Sequence, residues 1–311
     1  MNKVKKVIDN PEKLLYKARQ HIGRVENRVF GCDVMAEDWD NLLILDACRY
    51  DMFERLVDFP GKLHSRRSAG SATREFITNN FTGRTFLDTV YITGNPFVSM
   101  DAGDSFHALE ETWKTHWDEE HGTVLPESIQ EATLEMADRY PDKRIVAHFM
   151  QPHHPFIGPF AREEIGTLSG NSHARQRALG KESNDETGQR VWFKVRNGEL
   201  SRTTLERAYD ENLEIILPII KNLCEQLDGK TVITSDHGNL LNEPAYRVLS
   251  ASPHRYSHPK FATAESLVTV PWFEYPFQSR RTITSEPPTD QDHQDVTDDT
   301  IDERLEALGY K

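Results

Sequence analysis

The sequence predicts an α/β fold: a mainly parallel sheet flanked by helices on both faces, with a helical N-terminal lead-in and an acidic C-terminal tail. Three observations carry this expectation. Short apolar runs at 41–46 (NLLILD), 144–150 (RIVAHFM) and 230–236 (KTVITSD) are continuous rather than alternating, which is the pattern of strands buried on both faces. Helical patterns lie between them, at 126–140 and 201–227. Each run also leads into carboxylate or imidazole side chains, which a buried strand does not need for packing.

Along the chain, residues 1–38 read as the helical lead-in. Residues 1–29 hold eight Lys/Arg against three Asp/Glu. This stretch is either a solvated helix face packed on the domain or a patch drawn to anionic lipid or another polyanion. Residues 39–281 form the expected catalytic domain. Within it, Pro218 is expected to kink the helix at 201–227. The polar stretch 163–198 reads as a long irregular loop. Residues 282–311 are the acidic tail, whose IDERLEALGY segment reads as a short terminal helix.

Composition bounds the function. The chain has 311 residues, 37% hydrophobic and 28% charged, with a formal net charge of −13. That charge argues against nucleic acid as a partner. No apolar run reaches the ~20 residues needed to span a bilayer, so peripheral contact is the only membrane contact expected. The first residues carry basic side chains but no apolar core of a secretory signal. Cys32, Cys48 and Cys224 have no CxxC spacing, so a reducing, cytoplasmic setting is expected. Oligomeric state is left open.

In open α/β sheets ligands gather at the carboxyl ends of the strands. Asp46 ends the first run. The second leads into HFMQPHHPF, with His148, His153 and His154, and the third ends in Asp236 and His237. Carboxylate with imidazole is a ligand set for zinc, manganese or iron. In SAGSATREFI, Ser71 stands directly before a helical pattern. It is either an N-cap or a hydroxyl nucleophile activated by a metal on Asp46, Asp236 and His237.

These segments resemble the alkaline phosphatase superfamily, and within it the sulfatase-like hydrolases and transferases. LLILDACRYDMF is similar to the first-strand motif, GSATREFI to the nucleophile segment, HFMQPHHPF to a His-x-Met-x-x-His-x-Pro pattern, and VITSDHGN to the Ser-Asp-His-Gly motif. YSHPKFATAESLVTVPWFEY is similar to a late segment of the phosphoethanolamine transferase branch and points to His258. The resemblance spans roughly residues 38–275. It implies in-line displacement at phosphorus or sulfur with a divalent metal, zinc first and manganese or calcium as alternatives. Asp46, Ser71, Asp236 and His237 would hold the metal. His153 and His258 would bind substrate, the departing group or a second metal. Arg49 and Arg74 would neutralise ester oxygens, with a structural ion pair as the other reading of Arg49.

Counting back from Arg74 places Gly70 in the formylglycine slot of sulfatases, and glycine cannot become formylglycine. The expected function is therefore metal-dependent hydrolysis or transfer of phosphate esters through a Ser71 phospho-enzyme, with Thr73 as the rival nucleophile. The alternatives are a sulfate-ester hydrolase with an atypical nucleophile, and a catalytically silent relative that binds a glycan or lipid. The expected partner is a small-molecule, glycan or lipid ester.

Overall fold

All five residues Asn41–Leu45 are buried, as a continuous apolar run requires when both faces of a strand are covered. The computed structural model describes residues 11–166, 175, 179, 187–247 and 254–287. Its strands in chain order are β1 (Asn41–Leu45), β2 (Lys62–Arg67), β3 (Phe86–Thr93), β4 (Phe106–Glu110), β5 (Trp117–Asp118), β6 (Thr123–Val124), β7 (Arg144–Phe149), β8 (Thr231–Ser235), β9 (Leu240–Pro244), β10 (His254–Ser257) and β11 (Thr269–Glu274). Seven of these form one sheet in the order β2-β11-β8-β1-β7-β3-β4, while β5 pairs with β6 and β9 with β10. Strands β8, β1, β7, β3 and β4 run parallel, and β11 is antiparallel to both β8 and β2.

Strand period two sends alternate β1 side chains to opposite faces. Leu43 and Leu45 join Met52, Phe53, Ile129, Leu205 and Ile216 on one side. Leu42 and Ile44 join Trp39, Phe76, Ile77, Phe81 and Val98 on the other. The helices Tyr50–Leu56, Pro126–Arg139 and Arg202–Gln226 thus cover one face, and Thr73–Asn80 and Pro96–Ala102 cover the second. This is the layering that the sequence predicts, a mainly parallel sheet with helices on both faces.

Register decides what the carboxyl edge presents. Leu45 pairs with Phe149 on one side and with Ser235 on the other, so β1, β7 and β8 stop at one level. Asp46 and Asp236 therefore leave the sheet as neighbours.

The helix Arg202–Gln226 continues past Pro218. Ile216, Leu217 and Ile220 are buried around the proline, and this packing outweighs the lost backbone bond. The stretch expected as loop at 163–198 contains the helix Thr187–Arg196, held by buried Val191 and Val195 at helical spacing. The expected helix at the extreme C-terminus, and residues 1–10 of the lead-in, lie outside the described residues.

The lead-in is the helix Pro11–Phe30, which meets the body along a stripe of buried Arg19, Gly23 and Asn27. A Cβ on Gly23 would lie 1.9 Å from the carbonyl oxygen of Phe261, so only glycine permits this approach. Asn27 Nδ2 donates to Glu75 Oε1 (3.1 Å) and to the Ala262 carbonyl (3.0 Å).

Candidate metal centre

Asp46 and Asp236 sit at the ends of the two central parallel strands, 2% and 0% exposed. Asp236 Oδ1 accepts from the backbone N–H groups of Ala47 (2.9 Å) and His237 (2.8 Å). Ala47 reaches it by turning into the left-handed region at φ 60°. Asp46 Oδ2 accepts from Asn95 Nδ2 at 3.0 Å. The second oxygen of each carboxylate, Asp46 Oδ1 and Asp236 Oδ2, is buried without a hydrogen-bond partner. Such orphans are rare and call for an explanation.

His237 supplies one. Its Nδ1 donates to the Gly238 carbonyl at 2.6 Å, which leaves Nε2 as a lone pair. That Nε2 lies 3.4 Å from Asp236 Oδ2 and 3.7 Å from Asp46 Oδ1, the two orphaned oxygens. One ligand atom from each residue lies within 4.8 Å of the others. Three lone-pair donors, two of them carboxylates, thus face one buried point. Burial, and then the charge of Asp236, push the Asp46 carboxyl well above the usual carboxylate range, while Asn95 and the Thr73 hydroxyl pull the other way. A cation removes the conflict, and two oxygens with one imidazole nitrogen form a donor set that zinc and manganese accept. Asp46, Asp236 and His237 are therefore able to hold a metal ion.

The hydroxyl beside this cluster belongs to Thr73. Its Oγ1 lies 3.2 Å from His237 Nε2, and Thr73 is the first residue of the helix Thr73–Asn80. Ser71 corrects the expectation for a metal ligand and nucleophile. Its Oγ lies 3.0 Å from Glu75 Oε2 and 2.9 Å from the Pro259 carbonyl, and it accepts from the Ala262 N–H at 3.0 Å. Those partners engage the hydroxyl's one donor and one of its lone pairs, so Ser71 latches the 259–262 loop to the start of the helix Thr73–Asn80. Gly70 has no room for a side chain, since a Cβ there would lie 2.4 Å from the Phe76 nitrogen.

Both arginines are committed to carboxylates. Arg49 pairs with Asp51 (2.7 Å) and Glu243 (2.8 Å) and donates to the Asn239 carbonyl (2.8 Å). Arg74 makes a two-pronged pair with Asp101 at 2.6 and 2.5 Å and lies over the Phe97 ring. Arg49, with all three nitrogens engaged, is the structural ion pair that was its other reading, which corrects its expected role on ester oxygens; Arg74 uses only Nε and Nη2 in its pair.

His153 and His258 do meet at the site. Their Nε2 atoms are 2.9 Å apart, and the His258 ring stacks on His237 with centroids 4.6 Å apart. The His153 N–H is bonded to the Asp46 carbonyl, which fixes the loop to the first strand. Nδ1 of His153 donates to the His154 carbonyl, so its Nε2 is the acceptor in the pair. Burial, and then His237, push His153 down to about 4 and His258 well below the usual imidazole range, so both stay neutral. His254, four residues before His258, is exposed and bonds the Asn242 carbonyl.

Sequence reasoning missed Asn95 and Glu75. Asn95 Oδ1 caps the helix Pro96–Ala102 through the Phe97 N–H (3.0 Å), leaving Nδ2 for Asp46. Its sequence signal, Asn-Pro after an apolar run, announces only the cap. Glu75 is a buried carboxylate that accepts from Ser71, Asn27 and Phe261. Nothing in its helical context announces burial.

No protein-family model matches the chain, and no curated protein matches it. Solved structures do. The integral membrane protein lipooligosaccharide phosphoethanolamine transferase A from Neisseria meningitidis is 11% identical at a TM-score of 0.44, over 80% of this chain and 50% of that one. This chain thus spans about half the length of that protein. The C-terminal periplasmic domain of EcEptC from Escherichia coli, in complex with Zn, is 13% identical at a TM-score of 0.43, over 79% and 75% of the two chains. A protein in the alkaline phosphatase superfamily from Vibrio parahaemolyticus is 11% identical at 0.36, over 88% and 71%. At these values the likeness is one of fold and carries no activity across. The cytoplasmic expectation is withdrawn, because the similar structures with a stated compartment are periplasmic domains. Among the described residues no helix is long and apolar enough to cross a membrane. The central sheet brings the Asp46 and Asp236-His237 motifs together at its carboxyl edge.

Proposed function

We propose that the chain is a metal-dependent enzyme that hydrolyses or transfers phosphate esters, with Thr73 as its nucleophile and residues 39–281 as its catalytic unit. The observation that carries this reading is the Thr73 hydroxyl beside His237 Nε2 and the two orphaned carboxylate oxygens. A divalent cation on Asp46, Asp236 and His237, zinc before manganese or calcium, would supply positive charge that favours the ionised hydroxyl. Thr73 Oγ1 attacks phosphorus in line, and its proton passes through solvent to the leaving oxygen. The new Oγ–P bond forms as the bond to the leaving oxygen breaks, and that oxygen departs with the electron pair. Water or an acceptor alcohol then takes the phosphoryl group from Thr73. His153 and His258, neutral and paired, hold the ester or its departing group. Asn95 keeps Asp46 turned toward the centre.

The substrate in this reading is a small-molecule, glycan or lipid ester. Sulfate-ester chemistry through formylglycine has no support, since Gly70 stands against Phe76 without space for a side chain. The test is metal-stripped protein given zinc, manganese or calcium and assayed on bis-p-nitrophenyl phosphate, p-nitrophenyl phosphate and p-nitrophenyl sulfate. The expected result is metal-dependent phosphate-ester turnover that falls by orders of magnitude in Thr73→Val. Turnover of sulfate alone, or no turnover with any metal, overturns the proposal.

A further inference from the structure

The helix Pro11–Phe30 keeps an apolar stripe that the fold does not bury. Leu15, Ala18, Ile22, Val25 and Val29 recur at spacings of three and four, which puts them on one face. Val25 is 50% exposed and Val29 63%. The face that meets the body is the opposite one, with Arg19, Gly23 and Asn27. Next to the apolar stripe, Lys17, Arg24 and Arg28 form a second exposed row. The helix has two carboxylates, Glu12 and Glu26, and helical phase turns both toward the packed side, where Glu26 pairs with Arg67. The outward half of the helix is thus apolar and cationic, with no acidic residue.

We propose that this helix docks the protein on an anionic lipid bilayer, lying in the plane of the interface. An apolar stripe bordered by cations is the arrangement that such helices use: the aliphatic side chains enter the acyl boundary while the cations meet lipid phosphates. Charge complementarity favours lipid over a second copy of the chain. A second copy meeting it through the same helix face brings the same cations and no carboxylates on that face to answer them. Docking here would leave this helix between the bilayer and the loop that carries His258, because Gly23 packs on the Phe261 carbonyl and Asn27 bonds Ala262 on the opposite face.

Flotation of the full chain with vesicles tests the proposal. The wild type is expected to bind phosphatidylcholine vesicles containing phosphatidylserine at low salt, and to release at high salt. It should not bind phosphatidylcholine alone. Lys17→Ala with Arg28→Ala should weaken partitioning about 30-fold, and Val25→Asp with Val29→Asp should abolish it. Both pairs are expected to keep the wild-type melting temperature. Equal binding to neutral and anionic vesicles overturns the proposal, as does no binding at all. Sedimentation that reveals a dimer lost in Val25→Asp with Val29→Asp would assign the face to a second copy and overturn it too.

Discussion

Replacing Asp46 with Asn should stabilise the protein in chelator and remove its response to metal. The ligand atoms of Asp46, Asp236 and His237 lie within 4.8 Å of one another. At an effective dielectric of about 20, two full negative charges at that separation repel by about 3 kcal/mol. Part of that cost is already offset, because burial, and then Asp236, raise the Asp46 carboxyl's pKa and so favour its neutral form. Removing the charge should therefore return about 1–3 kcal/mol. The asparagine oxygen can still accept from Asn95, and its amide can donate to the orphaned Asp236 Oδ2. For a chain of this size the gain amounts to a rise of about 2–6 °C in melting temperature. Zinc at a hundredfold its dissociation constant should stabilise the wild type by about 2.7 kcal/mol and the variant hardly at all. Thermal melts of both proteins, in chelator and across a zinc titration, measure both signs. A variant that melts lower in chelator yet responds to zinc like the wild type would refute the metal centre.

Ser71→Ala should keep turnover within a few-fold of wild type. It should cost about 1–3 kcal/mol of stability, because the buried Ala262 N–H loses its acceptor; turnover measured beside a melt separates the two effects. Asn95→Ala should weaken metal binding about 10–100-fold, as loss of a residue orienting a ligand does, read by competition with a chromogenic chelator. Stability should fall on acidification. Burial holds His148 down at about 4, against an ordinary value of 6.5. Below pH 6.5 the unfolded chain takes up a proton there that the folded chain refuses until about pH 4. The contribution is thus whole above 6.5 and is lost as pH falls, about 3 kcal/mol in all. His148→Gln, which keeps a partner for Tyr91, should flatten the melting profile over that range.

The strands and the Asp46, Asp236 and His237 cluster were legible because each rests on local pattern. A run buried on both faces is mostly apolar and does not alternate, so β1, β7 and β8 stand out, and a carboxylate at the end of such a run marks the edge where ligands collect. What was illegible depends on partners distant in sequence. Ser71 and Thr73 are two residues apart, and which hydroxyl faces the centre is set by Glu75, Asn27 and the 259–262 loop. Arg49 and Arg74 looked available only because Glu243 and Asp101 could not be placed beside them. Asn95 carries two bonds at once, and sequence announces only its cap.

Thr73 is where covalent chemistry must register. The most direct measurement is an acid quench of zinc-loaded protein during turnover of a phosphate ester, followed by proteolysis and mass spectrometry. The proposed mechanism predicts one phosphoryl group on Thr73, absent from metal-stripped protein and from Thr73→Val. A phosphoryl group on Ser71, or full turnover by Thr73→Val with no phosphorylated peptide, would contradict it.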